Sequence, residues 1–445
     1  MQNYQNLAST CYKVVELYQE VLTSYVLDFY VEDHWYSKLP NSWREFLQNI
    51  SIQQMDDLLN CYNACNSRTL PPLSILCIQE IVRGFSVNRK QIVPREKLLK
   101  NEQNFMKHFQ KKVKLKKIHE IEIMSKICNE TSLQTGCRNV VDIGSGLGHL
   151  SRMLSFRYGL NVCTIEANQD LVRLAPKYDE QFEKLLSVKN ISHECKITPR
   201  HICKRIEDNI TCQDFETLVK NTFSTVDENF EFGIVGLHPC GNLGSTLLRL
   251  FNESKCIKFI NIASCCYMKL TLNSNEAAGY PLSNYFDSKQ YHLDYLCCET
   301  ACHAIEQYIS KIRSDEYMSL KIHSFRAALE CLIHKYDRTL AHCAVGNVKH
   351  KEGMTFEEYC RKATERYNFQ FLSEDLNHFS YLIERTWQNV VKFYSCRLLL
   401  APLAESVILY DRFLYLKEGN NTCDLIPAFD SSISPRCHVI KAIKR

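Results

Sequence analysis

The 445-residue sequence lacks several features that would place it in a specialised class of protein. Its first residues, MQNYQNLAST, contain no basic segment followed by an apolar stretch, so they predict no secretory signal peptide. We find no low-complexity tract and no internal repeat. The hydrophobic share of 45% and the charged share of 23% are ordinary for a globular chain. The length predicts about two to three domains.

A second absence concerns the cysteines. The chain has 23 of them but no CxxC pair, which argues against a zinc ribbon. Without a secretion signal, most of these thiols are expected to be reduced and buried as small apolar groups. Acidic Glu16 and Glu20, with no Arg before Arg44, argue against a mitochondrial presequence. We therefore expect an intracellular protein, cytoplasmic or nuclear.

Every long apolar run in the sequence contains charged residues. The most apolar stretch, Leu398 to Leu416, contains Glu405, Asp411 and Arg412. Charges at this density predict a buried helix and no membrane partner.

The net charge of +4 is small, but it is unevenly distributed. Between Arg83 and Lys117, basic residues far outnumber acidic ones. Such a stretch can contact phosphates, so residues 83–117 predict a possible RNA partner. A solvated helical face and linker is the alternative.

The chain changes pattern along its length. Residues 1–100 have apolar residues at helical spacing, with Asn41 or Ser42 expected to cap one helix. Residues 105–283 alternate short β-rich runs with helical segments, which predicts a parallel sheet. Residues 284–420 again predict helices, and 421–445 contain two final strands. We interpret 284–420 as a helical insertion within the sheet domain, with a separate C-terminal helical domain as the alternative.

The strongest local signal is the segment VVDIGSGLGH, which begins at Val140. A predicted strand ends in Asp142, and a loop with Gly144, Ser145, Gly146 and Gly148 opens a helix. Glycines allow the backbone to approach a ligand closely, and the helix start offers free N–H groups. A dinucleotide site would prefer another glycine at position 149, which is His. This form therefore favours S-adenosylmethionine, with Asp142 orienting the methionine amino group directly or through water.

A carboxylate supports this interpretation. Glu166 ends the second predicted strand, where an acid commonly accepts hydrogen bonds from ribose hydroxyls. Together, these residues predict an α/β fold: a Rossmann-like class I methyltransferase sheet with an N-terminal helical region and a long helical insertion before the last two strands.

The chain also resembles the methyltransferase-like protein 25 family. The similar segments include VDIGSGLGHLSR, IEANQDLVRLA, GLHPCGNLGSTLLRLF, ASCCYMKLT, GYPLS and LAPLAESVILYDRFLYLKE. The resemblance implies cofactor roles for the glycine loop, Asp142 and Glu166. It also places His238, Cys240 and Asn242 where such folds face the transferred methyl group.

The His-x-Cys-Gly element and the later Cys–Cys pair are similar to tRNA 2′-O-methyltransferases of the Trm-thirteen type. This local similarity favours RNA as the substrate. The segment lacks the Asp- or Asn-Pro-Pro-aromatic pattern of amino-methyltransferases, so an exocyclic base nitrogen is a less favoured target.

His238 is the candidate general base, because histidine titrates near neutral pH. The alternative is that it only holds Cys240 or a loop carbonyl. Cys240 could attack a base covalently, but a packed structural thiol is favoured. A zinc site formed by His238, Cys240, Cys265 and Cys266 is another alternative, disfavoured because adjacent cysteines rarely both bind one ion without strain. No metal is therefore predicted.

Four further residues could contact the cofactor or the acceptor. Lys117 and His119, together with Glu120, open the helix before the first strand and could meet the cofactor carboxylate or the acceptor. Tyr267 follows the fifth predicted strand and could stack on a base. Capping, surface charge and core packing are the alternatives.

The sequence thus predicts an S-adenosylmethionine-dependent methyltransferase, with RNA favoured as substrate. A protein substrate and a non-catalytic scaffold that retains the fold are the alternatives. The scaffold would bind the cofactor weakly or without turnover.

Overall fold

The structure is a computed structural model that describes residues 1–61, 70–93, 100–195, 197–227, 229–273 and 279–445. Backbone contacts divide these residues into two compact units. The first comprises Met1–Ala8, Val87–Cys302 and Ser406–Arg445, and the second comprises Ser9–Ser86 and His303–Glu405. From the sequence, we predict the N-terminal helices and the later helical insertion as separate regions. In the structure, most residues of each region belong to the second unit.

The first unit contains a seven-stranded sheet with the order β3-β2-β1-β4-β5-β7-β6. Neighbouring strands from β3 to β5 are parallel, and β7 is antiparallel to both β5 and β6. This order, with a late antiparallel strand inserted beside the fifth, confirms the predicted Rossmann-like methyltransferase sheet. Within the described residues the strands are β1 (Asn139–Ile143), β2 (Asn161–Glu166), β3 (Arg200–Cys203), β4 (Phe232–Gly236), β5 (Ile257–Ile262), β6 (Thr422–Pro427) and β7 (His438–Ile443).

Helices connect consecutive strands from β1 to β5, as parallel pairing requires. The α-helices of the described residues are α1 (Gln2–Leu17), α2 (Gln19–Leu22), α3 (His34–Ser37), α4 (Asn41–Gln48), α5 (Met55–Leu59), α6 (Leu73–Phe85), α7 (Lys100–Phe109), α8 (Leu115–Thr135), α9 (His149–Tyr158), α10 (Gln169–Val188), α11 (Cys212–Phe223), α12 (Asn242–Glu253), α13 (Asn284–Ser288), α14 (Tyr295–Thr300), α15 (Ile305–Arg313), α16 (Ile322–Tyr336), α17 (Phe356–Ala363) and α18 (Ser373–Glu418). Short 3-10 helices span Val26–Phe29, Gln110–Lys112, Tyr267–Lys269, Asp315–Lys321 and Arg338–Leu340.

The central strands are buried because helices cover both faces of the sheet. All five residues of β4 are buried, as are four of the five in β1. A side chain at Gly233 would come within 2.1 Å of the Phe259 ring, so the phenylalanine occupies the space beside this strand. This close packing holds the strand ends in fixed positions.

The predicted cap of α4 is wrong. The helix itself begins at Asn41, and its preceding residue is Pro40, which makes no side-chain capping bond. Proline already fixes φ at a value compatible with the helix entry, so neither Asn41 nor Ser42 serves as the N-cap.

The helix α18 is long and apolar enough to cross a membrane by length and composition, but 94% of its most apolar window is buried inside the structure. A core helix of a soluble protein has the same property. One of its charged residues is satisfied internally, because Asp411 accepts hydrogen bonds from the backbone N–H groups of Leu282 and Ser283, each at 2.9 Å. These observations agree with the predicted buried helix.

Candidate functional site

A cleft of about 600 Å³ opens at the carboxyl ends of the strands. In a doubly wound sheet, ligands bind where the strand order reverses, which here is between β1 and β4. The volume is suitable for a nucleoside-sized ligand. The lining residues are Ile143, Gly144, Ile165, Glu166, Ala167, Lys204, Arg205, Ile206, Asp208, His238, Cys240, Gly241, Asn242, Leu243, Lys269 and Thr271.

The glycine loop after β1 has the conformation that its sequence predicts. Gly144 and Gly146 adopt φ values of +71° and +59°, and a Cβ on either would meet no atom within 4 Å. The open space beside them is where a ligand can approach the backbone. Gly148 differs, because its Cβ would lie 3.0 Å from the His201 ring. This third glycine is therefore required by packing as well as by its φ of +70°.

Glu166 holds the loop against the second strand. Its Oε2 atom accepts a hydrogen bond from the Gly146 N–H at 2.9 Å, and Oε1 accepts one from the Asn168 N–H at 2.9 Å. A carboxylate oxygen has a second lone pair, so both oxygens can still accept bonds from ribose hydroxyls. Glu166 lines the cleft, as its predicted role requires.

Asp142 differs from its expected position. Its side chain is buried and does not line the cleft, and the Ser151 hydroxyl donates to its Oδ2 atom at 2.5 Å. Burial raises the pKa of Asp142 to about 6, although the bond from Ser151 opposes the shift. Direct contact with a ligand's amino group is therefore not its role in this geometry. Asp142 instead ties the strand end to α9, which follows the loop.

Ser145 was also predicted to bind the cofactor. Its hydroxyl oxygen is buried and has no hydrogen-bond partner among the described residues. The side chain is not among those that line the cleft. A direct cofactor contact of Ser145 stays a prediction.

The other side of the cleft contains a histidine–carboxylate pair. His238 follows β4, and its Nε2 atom lies 3.1 Å from Oε2 of Glu120 on α8. Glu120 is buried and also accepts a bond from the Ser434 hydroxyl at 2.5 Å. Burial alone would raise the pKa of Glu120, but the bond and charge of His238, with Ser434 and Lys116, lower it below its usual value.

This pairing selects a tautomer for the imidazole. An ionised Glu120 accepts the Nε2–H of His238, which leaves Nδ1 as the proton acceptor. The side chain of His238 is 35% exposed and lines the cleft. His238 therefore combines an oriented ring with access to a ligand, which is what a general base needs.

Three cysteine sulfurs lie beside this pair. The Sγ atoms of Cys240 and Cys265 are 3.2 Å apart, and that of Cys266 is 3.6 Å from Cys265. The backbone of Cys266 is left-handed, with a φ of +52°, which allows adjacent thiols to converge. His238 is not in the group of ligand atoms within 4.8 Å. The four-ligand set considered from the sequence is therefore not assembled.

Cys240 is exposed to the cleft and is not the packed structural thiol that the sequence favoured. The hydrogen bond from Cys265 lowers the pKa of Cys240 to about 6, with help from Cys266, His238 and Lys269, against a smaller opposing effect of burial. A thiol with such a pKa is largely ionised at neutral pH.

Asn242 lines the cleft, but its side chain holds neighbouring segments together through hydrogen bonds. Its Nδ2 atom donates to Asp208 at 2.8 Å and to the Thr271 hydroxyl at 2.7 Å, while its Oδ1 atom accepts from the Thr271 N–H at 2.8 Å. These bonds join the segments after β3, β4 and β5. Asn242 is therefore a positioning residue.

Three other predicted site residues lie away from the cleft lining. His119 is buried, and its Nε2 accepts a bond from the Asp430 N–H at 2.9 Å. Tyr267 is buried under the Arg412 guanidinium, 5.3 Å from the ring centroid. Lys117 is exposed and does not line the cleft. The predicted catalytic roles of His119 and Tyr267 are wrong, because both side chains are buried and neither lines the cleft.

Sequence reasoning missed two features of the site. It named Glu120 without pairing it with His238, because residues so far apart in sequence carry no shared signal. It also missed the cations Lys204 and Arg205, which line the cleft together with Lys269. Their position directly after β3 was the available signal.

Residues 116–273 match a family described as "Methyltransferase domain". The chain carries a methyltransferase domain. Those residues contain the glycine loop, Glu166 and the segment with His238 and Cys240, so the domain coincides with the cleft. The enzyme class predicted from the motif is confirmed.

Relatives extend the similarity beyond this domain. The chain is 23% identical to Probable methyltransferase-like protein 25 of Mus musculus over 74% of this chain and 75% of that protein. It is 22% identical to the protein of the same name in Homo sapiens, over 74% of each chain. This agrees with the resemblance stated from the sequence. The Trm-thirteen similarity stays a prediction.

Solved structures give weaker matches. An S-adenosylmethionine-dependent methyltransferase from Clostridium acetobutylicum is 14% identical, with a TM-score of 0.20, over 39% of this chain and 65% of that one. The plantazolicin methyltransferase BpumL in complex with SAH is 12% identical, with a TM-score of 0.21, over 61% of this chain and 80% of that one. The fold class is established by the strand order of the sheet.

The cleft fits the predicted cofactor, S-adenosyl-L-methionine. Open space beside Gly144 and Gly146 suits the close approach of a ligand to the backbone. Glu166 provides acceptors for ribose hydroxyls. S-adenosylmethionine has no pyrophosphate, so its site does not need the pyrophosphate-binding groups of a dinucleotide site. A nucleoside placed here lies between the glycine loop and the His238 side of the cleft.

Proposed function

We propose that this methyltransferase uses S-adenosylmethionine to methylate RNA. The single observation that carries the proposal is the composition of the cleft. It joins Glu166 and the glycine loop to an oriented histidine, and it adds three cations from the segments after β3 and β5. The first group suits a nucleoside cofactor, and the second suits an acceptor attached to phosphates.

The bound cofactor supplies an electrophilic methyl group on a sulfonium. The protein must hold the acceptor in line with that group and remove its proton. Nδ1 of His238 accepts the proton, and the Glu120 carboxylate stabilises the resulting imidazolium through Nε2–H. The buried position of Glu120 strengthens this interaction, since the local dielectric constant is low.

Cations support RNA over a neutral acceptor. Lys204, Arg205 and Lys269 line the cleft, and Lys269 lies close enough to Cys240 to lower the pKa of that thiol. Phosphate groups on both sides of a target nucleotide would contact such side chains. A neutral peptide acceptor would have no corresponding charge to match them.

The basic stretch of residues 83–117 supports the proposal in part. Its described lysines with exposed side chains are Lys90, Lys107, Lys111, Lys114, Lys116 and Lys117. Arg89 is buried and donates to the Pro435 carbonyl, so it is excluded as a phosphate contact. Arg95 and Lys97 lie outside the described residues. We expect the exposed lysines to extend the interface beyond the cleft.

The test incubates the purified full-length protein and labelled S-adenosylmethionine with RNA and protein fractions from cells that lack this chain. In such cells the natural acceptor is unmethylated. We expect label in RNA, and nucleoside mass spectrometry then identifies the methylated atom. The His238→Ala variant should give no label at the same enzyme concentration.

A charge-reversal pair tests the RNA interface. Lys269→Glu should reduce RNA methylation while leaving cofactor affinity unchanged. Lys184→Glu is the matched control, because Lys184 is exposed on α10 and, among the described residues, its ion pair is with Glu180 in its own helix. Label in protein and none in RNA would contradict the RNA proposal and leave the methyltransferase in place. Cofactor binding without turnover on either fraction would favour the scaffold.

A further inference from the structure

The second unit contains a cluster of four metal-binding side chains that the proposed reaction does not use. Asp28, Glu330, His334 and His342 each direct one ligand atom to a common point, and all four atoms lie within 4.8 Å of one another. We propose that these residues bind one structural zinc ion. The site is independent of the methyltransferase cleft and of its substrate.

Three separate elements bring the ligands together. Glu330 and His334 are one turn apart on α16, so their side chains share a face of the helix. Asp28 lies on the 3-10 helix Val26–Phe29. His342 follows the 3-10 helix Arg338–Leu340 and adopts a φ of +58°. A left-handed conformation costs a non-glycine residue free energy, so this backbone geometry needs a compensating interaction.

The distances suit a small divalent ion. Nε2 of His342 lies 2.7 Å from Oδ1 of Asp28 and 3.9 Å from Oε1 of Glu330. Nε2 of His334 lies 3.4 Å from the same Glu330 oxygen. Zinc binds nitrogen and oxygen ligands at about 2.0–2.2 Å, so ligand atoms in a tetrahedral site are about 3.3–3.6 Å apart. The separations of 3.4 and 3.9 Å lie near this value, whereas the 2.7 Å contact is a direct hydrogen bond that must lengthen when an ion binds.

The charges of the cluster are unbalanced without a cation. The side chain of Glu330 is 4% exposed and that of Asp28 is 12% exposed. Among the described residues, every ion pair of these two carboxylates is with a histidine, and none is with Lys or Arg. The His342 backbone N–H donates to Oε1 of Glu330 at 2.7 Å, and the His342 ring is hydrogen-bonded to Asp28, so with neutral histidines both carboxylates have partners but their two charges are not neutralised. A divalent cation neutralises both.

One nitrogen of the cluster has no hydrogen-bond partner among the described residues. Nε2 of His334 is buried and makes no hydrogen bond among the described residues. It lies 3.4 Å from Oε1 of Glu330 without a hydrogen bond to it, so the nitrogen can serve as a ligand for a cation bound beside that carboxylate. A bound metal ion would coordinate this nitrogen and neutralise the charges of both carboxylates.

The ligand types indicate zinc. Calcium and magnesium prefer sites made wholly of oxygen ligands, whereas two imidazoles with two carboxylates suit zinc and its neighbours in the transition series. Four protein ligands leave no open position, which is typical of a structural site. The ion would connect α16 to two short segments that are distant from it in sequence.

The test measures metal content and stability of the full-length protein. Elemental analysis after zinc loading and desalting should find about one zinc ion per chain that depends on this cluster. His342→Ala should lose it, and this variant should fold because the His342 side chain is 47% exposed. His378→Ala is the matched control, since His378 is exposed on α18 in the same unit. A strong chelator should lower the melting temperature of the wild type and the control, but not that of His342→Ala.

The cysteines near the cleft are the other possible source of bound zinc, so the experiment must separate the two. Cobalt substitution does this, because thiolate ligands give an intense sulfur-to-cobalt charge-transfer band and nitrogen and oxygen ligands do not. We expect tetrahedral cobalt without that band, and zinc retained in Cys240→Ser. Zinc that persists in His342→Ala, is lost in Cys240→Ser, or fails to bind at all would overturn the proposal.

Discussion

The imidazole of His238 is hydrogen-bonded to the buried carboxylate of Glu120, with 3.1 Å between Nε2 and Oε2. The two residues come from opposite ends of the methyltransferase domain, on the segment after β4 and on α8. The contact fixes the ring orientation and leaves Nδ1 free to act on a ligand. This arrangement is the one that a general base requires, and the rate of the His238 variant tests it against a structural role.

We expect His238→Ala to reduce methyl transfer by at least about a hundredfold, within the range for losing general acid–base catalysis. Cofactor affinity should change little, because the glycine loop and Glu166 remain. Glu120→Gln should also reduce the rate, since an amide does not stabilise the imidazolium as a carboxylate does. Rates measured beside melting temperatures check this prediction, and a stable His238→Ala protein with full turnover would exclude the histidine from the mechanism.

Glu166→Ala should weaken S-adenosylmethionine binding by roughly 1.5–3 kcal/mol, the range for losing hydrogen bonds to a charged acceptor. The variant loses the ribose contacts and also the bond to the Gly146 N–H, so part of the loss reflects a looser loop. Isothermal calorimetry measures the affinity. Glu180→Ala is the control, since Glu180 is exposed and pairs with Lys184 in the same helix, α10. Equal affinity in the two variants would remove Glu166 from the cofactor site.

Gly146→Val should abolish cofactor binding, because its side chain would occupy the open space beside the loop. Valine also strains the backbone at a φ of +59°. Gly136→Val controls for that strain, since Gly136 has a φ of +71°, equally open surroundings and no place in the cleft. Calorimetry should find wild-type affinity in the control alone. Binding retained by Gly146→Val would disprove the assignment of the loop.

The sheet-containing unit should lose stability as pH rises through the range in which Asp142 titrates. Its pKa is about 6 in the folded protein, against 3.8 for an ordinary aspartate. The folded state therefore retains a proton that the unfolded state releases between about pH 4 and pH 6, and raising the pH favours unfolding. In Asp142→Asn this contribution disappears, so the variant should gain up to about 3 kcal/mol relative to wild type across that window. Scanning calorimetry at several pH values measures the stability of the wild type and of Asp142→Asn. If the two stabilities change with pH in the same way, Asp142 does not titrate as expected.

Cys240 should react with iodoacetamide at neutral pH faster than the exposed Cys77 and Cys203. The reason is its pKa of about 6, set mainly by the hydrogen bond from Cys265. Cys265→Ala removes that bond and should slow the reaction of Cys240. Peptide mass spectrometry after timed labelling gives the rates. Similar rates at all three cysteines would contradict an ionised Cys240.

Much of the cofactor side could be predicted because its signals are local. A β-rich run, an acid and alternating glycines are contiguous from Val140 to Gly148, and Glu166 stands at the end of the next strand. Strand-end residues of parallel strands meet at one sheet edge, so their proximity follows from the topology. The exception is Asp142, whose burial against Ser151 depends on how α9 packs.

The acceptor side was less predictable, because it depends on contacts between distant segments. His238 was identified by its place after a strand, but its partner Glu120 lies far away in sequence. His119 and Tyr267 have the residue types of a reactive site, yet packing buries both. Cys240 was expected to be packed and is instead exposed in the cleft.

The sequence by itself determined the order of strands and helices, the glycine loop, the carboxylate at Glu166 and the class of enzyme. These properties depend on spacing and residue type within short segments, which the chain carries wherever it folds. Only the tertiary structure decided that His238 pairs with Glu120, that three thiols converge beside them, and that Asp28 lies close to Glu330 and His334 of α16. Such contacts arise when the packing of helices and strands fixes side chains that share no local pattern, so no short segment of the sequence predicts them.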